Sequence, residues 1–224
     1  MTILNIREHG VEIKQDFLSP EKIKAVIAEI DAYDEAVPKY GIRNAEKKFP
    51  SISEIVHSKR LIDLAYGILS SSPQVVRVIF FDKTPDKNWL VSWHQDKTVA
   101  VTDKFDMDGW GPWSLKEGVH HVRPPLTVLN EMVTFRLHLD NADSDNGCLK
   151  VITGSHEIGI LKQQPLSELV NKSEPVFCEV KAGDAVIMRP HILHSSSKSV
   201  SPSHRRVIHI EYSGFGLPGN ISWA

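Results

Sequence analysis

The pattern of hydrophobic and polar residues changes about a third of the way along the chain. Before that point, apolar residues recur at helical spacing over residues 23–30 and again over 61–69. Residues 19–21 read Ser-Pro-Glu: a capping side chain, a first-turn proline and an early acid, which is typical of a helix start. The pattern predicts two helices, and it predicts helical structure only in this first part of the chain.

From residue 75 onward the sequence consists of short runs rich in valine, isoleucine, phenylalanine and threonine, separated by turn residues. No helical pattern alternates with these runs, which argues against a parallel βαβ sheet. Short, closely spaced strands are typical of a sandwich or barrel. Eight strands are predicted, at residues 75–83, 89–96, 132–140, 148–154, 175–180, 184–190, 192–197 and 205–213.

These two patterns together predict one domain over residues 1–224 that is mainly β. A helical N-terminal layer, residues 1–74, is expected to pack on a jelly-roll-like β core, residues 75–214, which a tail at 215–224 follows. The stretch 97–125 lacks strand character and is predicted to be a long loop. Loops of that length inside a compact domain are usually functional or disordered.

The composition fits a soluble globular protein, with 41% hydrophobic residues, 24% charged residues and a net charge of −2. Because there is no basic block or acidic tail, we expect neither nucleic acid nor a membrane as partner. The N-terminus is too polar for a signal peptide, and no apolar run has the length of a membrane helix. The two cysteines, Cys148 and Cys178, are expected to be buried thiols without a disulfide. A cytoplasmic location is therefore predicted.

One short motif carries the first indication of chemistry: residues 93–96 read Trp-His-Gln-Asp. Side chains two apart on a strand share a face, so His94 and Asp96 are expected to point the same way. Two histidines and a carboxylate bind non-haem iron(II) and leave three coordination positions open. His194, a hundred residues later, is the candidate for the second histidine. His191 is its rival, but it has the opposite strand parity to Ser196.

The residues after His194 suggest what fills the open positions. A dicarboxylic keto acid that chelates the metal needs a cation for its far carboxylate, and the planar fork of arginine suits this task. Arg205 stands eleven residues after His194, and Ser196 shares the face of His194 and offers a hydroxyl. The set predicts a site for a metal and a keto acid.

Three segments of the chain resemble the phytanoyl-CoA dioxygenase-like branch of the iron(II)/2-oxoglutarate oxygenases. They are FFDKTPDKNWLVSWHQD, LHLDNADSDNGCLKVITGSHEIG and AGDAVIMRPHILHSSSKSVSPSHRRVIHIEY. The resemblance implies a double-stranded β-helix, a jelly roll of the cupin-like kind, with His94, Asp96 and His194 as iron ligands. It also implies that Arg205 and Ser196 bind the far carboxylate of 2-oxoglutarate. A small molecule would then be hydroxylated or otherwise oxidised with O2, while succinate and CO2 are released.

Two further basic residues belong with the co-substrate residues. Lys83 lies before the H-x-D strand, where the family often has lysine; the alternative is a charge at a strand end. Arg136 takes the place of a tryptophan that family members often carry ten residues before the asparagine of N-G-x-L. An unpaired charge in this apolar run would be costly. Arg136 is therefore expected in a buried salt bridge or on a carboxylate of the co-substrate or the substrate.

The predicted loop at 97–125 supplies the candidate substrate contacts, because loops on a rigid scaffold often carry specificity. They are Trp110, Trp113, His121 and Arg123; the alternative is a capping loop whose aromatic residues only pack. Arg123 and Arg136 together suggest an anionic small molecule. Two other functions stay open: a cupin-like metalloenzyme that does not use 2-oxoglutarate, and a non-catalytic binding module on the same scaffold. The first would have no use for Arg205.

Overall fold

The N-terminal part of the computed structural model contains most of the helices. The structure describes residues 4–33, 41–84, 86–201 and 203–224. Its first elements are α1 (Ile6–His9), β1 (Val11–Lys14), α2 (Pro20–Asp31), β2 (Gly41–Arg43), α3 (Ala45–Lys48), α4 (Pro50–Val56) and α5 (Lys59–Leu69). Helices α2 and α5 are the two that the sequence predicts. Each begins at a serine, Ser19 or Ser58, whose side chain accepts a hydrogen bond from a backbone N–H of the first turn.

The rest of the chain is mainly β, and all eight predicted strands are confirmed. The elements are β3 (Gln74–Lys83), β4 (Val91–His94), β5 (Val99–Val101), β6 (Trp113–Lys116), β7 (Val119–Val122), α6 (Leu126–Asn130), β8 (Met132–His138), β9 (Leu149–Ile152), α7 (Gln163–Lys172), β10 (Val176–Cys178), β11 (Ala185–Met188), β12 (Leu193–Ser196) and β13 (Arg205–Ser213). A short 3-10 helix, Ser155–Ile158, follows β9. Helices α6 and α7 contradict the expectation that helices occur only near the N-terminus. In α7 only Leu166 is buried, so its apolar pattern is weak.

The larger of two antiparallel sheets has six strands in the order β1-β11-β8-β13-β3-β2, and the smaller has four in the order β10-β9-β12-β4. This is the jelly-roll arrangement that the sequence predicts. The N-terminal region also contributes the two edge strands of the larger sheet, β1 and β2, and so it is more than a helical layer. Long-range pairing covers both edges of the larger sheet with short strands, which limits edge-to-edge association.

The N-terminal helices pack on one face of the six-stranded sheet, which we call the helix-side face. Residues 208, 210 and 212 of β13 and residues 78 and 80 of β3 point to this side, since alternate residues share a face. They form the main hydrophobic core with buried residues of α2, α4 and α5. Hydrophobic burial of this kind is the dominant stabilising term in folding. The opposite face, which we call the cavity-side face, looks toward the four-stranded sheet.

The segment 97–125 is not the strandless loop that the sequence predicts. It contains β5, β6 and β7, which form a third antiparallel sheet in the order β5-β7-β6. This sheet packs in a hydrophobic cluster with residues of the C-terminal segment, among them Phe215 and Trp223. The strands are only three or four residues long, and their stability depends on partners that are distant in sequence.

Both cysteines are free and buried, as predicted. Burial raises the pKa of the Cys148 thiol to about 11 and that of the Cys178 thiol to about 12, so both stay protonated near neutral pH. Among the helices of the described residues, none combines the length and the apolar composition needed to cross a bilayer.

Candidate metal centre

Two histidines and one aspartate meet where β4 and β12 run side by side. His94 and His194 are direct cross-strand partners, and their ring centroids are 4.1 Å apart. Asp96 follows β4, and its backbone N–H donates a hydrogen bond of 3.0 Å to the carbonyl of Pro190. Its carboxylate lies between the rings, with one oxygen 3.6 Å from Nε2 of His94 and the other 3.6 Å from Nε2 of His194. These separations are too long for good hydrogen bonds and suit three ligands around one ion.

Backbone hydrogen bonds fix which nitrogen of each histidine faces the aspartate. Nδ1 of His94 lies 2.8 Å from the carbonyl of Ser92, and Nδ1 of His194 lies 2.8 Å from the carbonyl of Ile192. A carbonyl only accepts, so each Nδ1 carries the hydrogen, and each ring in its neutral form presents the lone pair of Nε2. This second hydrogen bond is the usual support of a metal-binding histidine.

The charges at this site also suit a metal. Burial lowers the pKa of His194 to about 4, which keeps its ring neutral near pH 7. Burial alone would raise the pKa of Asp96, but the electrostatic influence of the neighbouring His194 and His94 outweighs it and holds that pKa below its usual range. A neutral imidazole and an ionised carboxylate are the forms that bind metal ions.

Gln95, between the histidine and the aspartate, points to the opposite side and is buried. Its Nε2 donates hydrogen bonds of 2.7 Å to the carbonyl of Gly159 and 2.8 Å to that of His191. Its Oε1 accepts one of 2.8 Å from the N–H of Leu161. The side chain therefore ties the end of β4 to the segment that leads into β12. Alternation along the strand indicates only that Gln95 points away from the site; its three hydrogen bonds depend on residues distant in sequence.

A second group of polar residues lies on the cavity-side face, at the other end of the site. Arg205 on β13 is the cross-strand partner of Lys83 on β3. Arg205 is 3% exposed, and neither its Nε nor its Nη1 has a hydrogen-bond partner among the described residues. Buried polar groups are almost always paired, so these orphaned donors indicate a place for a bound anion.

Lys83 and Ser196 join Arg205 at this end. The ammonium group of Lys83 donates hydrogen bonds of 3.0 Å to Oγ of Ser196 and 2.7 Å to the carbonyl of Ser197. Burial, together with the charges of Arg205 and Arg136, lowers the pKa of Lys83 to about 7. The cationic groups of Lys83, Arg205 and Arg136 lie close enough to repel one another, and a bound anion would relieve that repulsion.

The structure shows why the N-G-x-L motif has a glycine at position 147. The backbone of Gly147 has a φ of +74°, and a Cβ atom there would lie 2.3 Å from the carbonyl oxygen of Ser197. Its own carbonyl accepts a hydrogen bond of 2.7 Å from Oγ of Ser196. A side chain at position 147 would therefore displace the strand that carries Ser196.

A cavity of about 260 Å³ connects the two ends of the site. Its lining includes the aspartate and both histidines, and at the other end Ser196 and Arg205, with Arg136 also on the wall. The structure thus brings together seven of the predicted site residues: His94, Asp96, His194, Lys83, Arg136, Ser196 and Arg205. Their functional roles stay predictions.

The four predicted substrate contacts from 97–125 are not in the cavity wall. Trp110 and Trp113 pack in the hydrophobic cluster with Phe105, which is the packing alternative. His121 is buried, and burial lowers its pKa to about 4. Arg123 is exposed. Two other residues of this segment, Thr98 and Lys116, do line the cavity.

Three polar residues on the cavity-side face were not predicted as site residues: Arg77, His209 and Glu211. Oxygen Oε1 of the fully buried Glu211 lies 2.5 Å from Nη2 of Arg77 and 3.0 Å from Nε2 of His209. Asp96, His209 and Glu211 form a second group with ligand atoms close enough to hold an ion. Strand parity places Arg77 on the same face as Lys83, and this signal could have found it.

The sequence from residue 6 to residue 207 matches the family Phytanoyl-CoA dioxygenase (PhyH). The chain belongs to this family. Its relatives include "Phytanoyl-CoA dioxygenase 1" of Oryza sativa, which is 25% identical over 232 residues, 92% of this chain and 71% of the rice protein. "Phytanoyl-CoA dioxygenase domain-containing protein 1" of Danio rerio is 22% identical over 70% of this chain, which spans about half, 51%, of the zebrafish protein.

Solved structures of the same fold include AviO1 from Streptomyces viridochromogenes, with a TM-score of 0.70 and 21% identity over 96% of this chain and 94% of AviO1. EctD from S. alaskensis with 2-oxoglutarate and 5-hydroxyectoine has a TM-score of 0.71 and 18% identity over 93% and 73% of the two chains. These likenesses confirm the predicted mainly β, jelly-roll fold. Family membership confirms the predicted enzyme class, the iron(II)- and 2-oxoglutarate-dependent oxygenases.

Proposed function

We propose that this protein binds iron(II) through His94, Asp96 and His194 and uses 2-oxoglutarate and O2 to oxidise a small molecule. Hydroxylation is the simplest such reaction, and succinate and CO2 are the products of the keto acid. The observation that carries the proposal is the pairing of two features in one cavity. Three ligand atoms lie close together at one end, and the buried Arg205, whose Nε and Nη1 have no partner among the described residues, lies at the other.

At the metal end, His94, Asp96 and His194 would supply three ligands to the iron. Both Nδ1 atoms are engaged by backbone carbonyls, so the Nε2 atoms need no rearrangement to bind. The bound iron would supply the oxygen chemistry, and the remaining coordination positions would face the cavity. Gln95 and the backbone of Asp96 keep this end rigid.

At the far end, Arg205 would receive the C5 carboxylate of 2-oxoglutarate. Its planar guanidinium group can donate two parallel hydrogen bonds, and its Nε and Nη1 are free among the described residues. Lys83 adds a positive charge on the facing strand and holds the hydroxyl of Ser196 in place. A role for Ser196 as donor to the carboxylate requires its hydrogen to leave the carbonyl of Gly147.

The arginine also separates this proposal from its alternatives. A metalloenzyme that does not use a keto acid would have no reason to keep Arg205 buried and unpaired in the same cavity as the three metal ligands. A binding module would have no reason to keep both histidines in the ligand tautomer. The oxygenase uses both features.

Anaerobic titration tests the proposal directly. Addition of 2-oxoglutarate to the iron(II)-loaded protein should produce the weak visible charge-transfer band of a keto acid chelated to iron. His94→Ala and Asp96→Ala should abolish the band, whereas His57→Ala, at an exposed histidine that ends α4, should retain it. If the protein binds iron but shows no band with 2-oxoglutarate, the keto acid assignment is wrong.

Turnover is the second test. Succinate release should depend on iron(II), 2-oxoglutarate and a small-molecule substrate, and a screen that measures succinate would identify that substrate. An established turnover that survives both the His94→Ala and the Asp96→Ala substitutions would contradict the ligand assignment.

A further inference from the structure

Arg136 is a buried cation that forms no direct ion pair with the described residues. It lies on the cavity-side face of β8, is 8% exposed and lines the cavity. Its Nη1 donates a hydrogen bond of 3.0 Å to Nδ1 of His209, its cross-strand partner, and its Nε has no partner among the described residues. No carboxylate of the described part of the chain lies within ion-pair distance of its guanidinium group. An unpaired buried charge is costly, so a missing anion is indicated.

A chain of four residues, the Arg136 chain, holds this guanidinium group in place. Arg77 donates to Glu211 at 2.5 Å, and Nε2 of His209 lies 3.0 Å from the same carboxylate oxygen. An ionised carboxylate only accepts, so Nε2 of His209 carries the hydrogen and its Nδ1 has a lone pair. That lone pair accepts the hydrogen bond from Arg136. Glu211 thus sets the tautomer of His209, and His209 orients Arg136 toward the cavity.

The charges of the site show that this anion is not yet accounted for. Glu211 is matched by Arg77. In the proposed function, the C1 carboxylate of 2-oxoglutarate is matched by the metal and the C5 carboxylate by Arg205 and Lys83. Asp96 belongs to the metal. Arg136 is therefore left positive after both ends of the co-substrate are matched, and the exposed Lys116 adds a further positive charge to the cavity lining.

We propose that Arg136 binds a carboxylate of the primary substrate and that His209 and Glu211 act as positioning residues for it. The enzyme would then select small carboxylic acids over their neutral counterparts. The inference rests on the proposed function, because it assigns both carboxylates of 2-oxoglutarate elsewhere. The C1 carboxylate of the keto acid is the other anion that Arg136 would accept. The experiment must therefore distinguish it from the carboxylate of the primary substrate.

A pair of keto acids makes this separation in the iron(II)-loaded protein without oxygen. The probes are 2-oxoglutarate and 2-oxopentanoate, which lacks the far carboxylate, and the readout is the charge-transfer band. Arg205→Gln should weaken 2-oxoglutarate by about tenfold or more and leave 2-oxopentanoate nearly unchanged. Arg136→Gln should change the dissociation constant of neither probe by more than about twofold. Arg206→Gln, on the neighbouring residue that pairs with Asp140, is the matched control.

The outcomes are distinguishable. If Arg136→Gln weakens both keto acids by about tenfold, Arg136 serves the C1 carboxylate and the inference is wrong. If wild type gives no band with either probe, the proposed function itself fails.

Matched substrate pairs test the substrate class. A panel of small carboxylic acids, each with its primary amide, is assayed for stimulation of succinate release. The acids should stimulate at least about tenfold more than their amides, and Arg136→Gln should remove this preference through KM. Arg136→Lys should restore part of it, because it restores the charge without the fork. Equal stimulation by acids and amides, including none by either, contradicts the inference.

The positioning role has its own readout. His209→Phe keeps a ring but cannot accept from Arg136, so it should reduce the preference for acids as Arg136→Gln does. The double variant should lose no more than either single variant, because residues of one network are not additive. Additive losses would show that His209 acts independently of Arg136. Retention of the iron–keto acid band in each variant shows that the fold and the metal end are intact.

Discussion

The two faces of the six-stranded sheet differ in what they are packed against and in how deeply they are buried. On the helix-side face, Phe80 and Ile208 are cross-strand partners in a continuous apolar core. On the cavity-side face, other cross-strand pairs of the same two strands bring together Arg205 with Lys83 and Glu211 with Arg77. One face is complete without a ligand. The other contains donors that the described residues do not satisfy.

Stability and function are thus divided between the two sides of the same strands. Apolar packing stabilises the protein as soon as the chain folds. Buried charges without partners destabilise it until a ligand binds. Substitutions on the helix-side face should therefore mainly change the free energy of unfolding. Substitutions on the cavity-side face should mainly change the binding of metal and ligands.

The largest effect should come from Phe80→Ala, which empties a fully buried position of the helix-side core. We expect a loss of about 3–5 kcal/mol in the free energy of unfolding, measured by denaturant titration. Phe81→Ala is the matched variant, since Phe81 is next along β3 but lines the cavity and is only half-buried. It should cost clearly less stability. Equal losses for the two variants would remove the distinction between the faces.

Asp96→Ala should show the reverse behaviour. We expect succinate release to fall at least about 100-fold, because even partners that only support a metal ligand are worth 10–100-fold. The free energy of unfolding of the metal-free protein should fall by less than it does for Phe80→Ala, since the side chain makes no core contacts and only its interactions with neighbouring histidines and arginine are lost. A large drop in the melting temperature of the metal-free variant would instead assign Asp96 a structural role.

Arg205→Met should lower the affinity for 2-oxoglutarate by about tenfold or more, since it removes charged hydrogen bonds to a carboxylate. In the ligand-free protein the same substitution should leave the melting temperature unchanged or raise it, because it replaces an unpaired buried charge with an apolar side chain. Thermal melts with and without metal and 2-oxoglutarate measure both effects. A ligand-free variant that melts well below wild type would mean that the arginine is satisfied before the ligand binds.

The pH dependence of Lys83 should give the smallest effect on the affinity for 2-oxoglutarate. Its pKa is lowered from 10.5 to about 7 in the folded protein, so between these values the unfolded chain holds a proton that the folded chain has released. Stability should therefore rise with pH across that window, and affinity for 2-oxoglutarate should fall by about threefold over the unit above pH 7. Lys83→Met should flatten both trends. A wild-type affinity that does not change with pH would show that the lysine stays charged.

Some of the site residues on the cavity side could be predicted from the sequence alone. Strand parity and fixed offsets placed His94, Asp96, His194, Ser196 and Arg205 on one side of their strands, and the structure brings them to one cavity. Parity is a local property and needs no knowledge of the partner strand. The same rule, applied to β3, would have added Arg77.

The remainder depends on pairing between distant residues. Arg77 and Glu211 are 134 positions apart, and nothing in either neighbourhood identifies the other. The strands at 97–125 are short and are held by a cluster that includes Trp223, so local propensity does not reveal them. Tertiary contacts override local pattern most easily where an element is only three or four residues long.

The direct pairing of His94 with His194 has a consequence for unfolding kinetics. An ion held by both rings would cross-link two points of the chain that are roughly a hundred residues apart, and clips that close long loops restrict the unfolded chain strongly. The metal would then act as a staple between two neighbouring strands of the four-stranded sheet, β4 and β12. Unfolding of the loaded protein would have to wait for the ion to leave, so its lifetime would follow the metal off-rate more closely than the strength of the core.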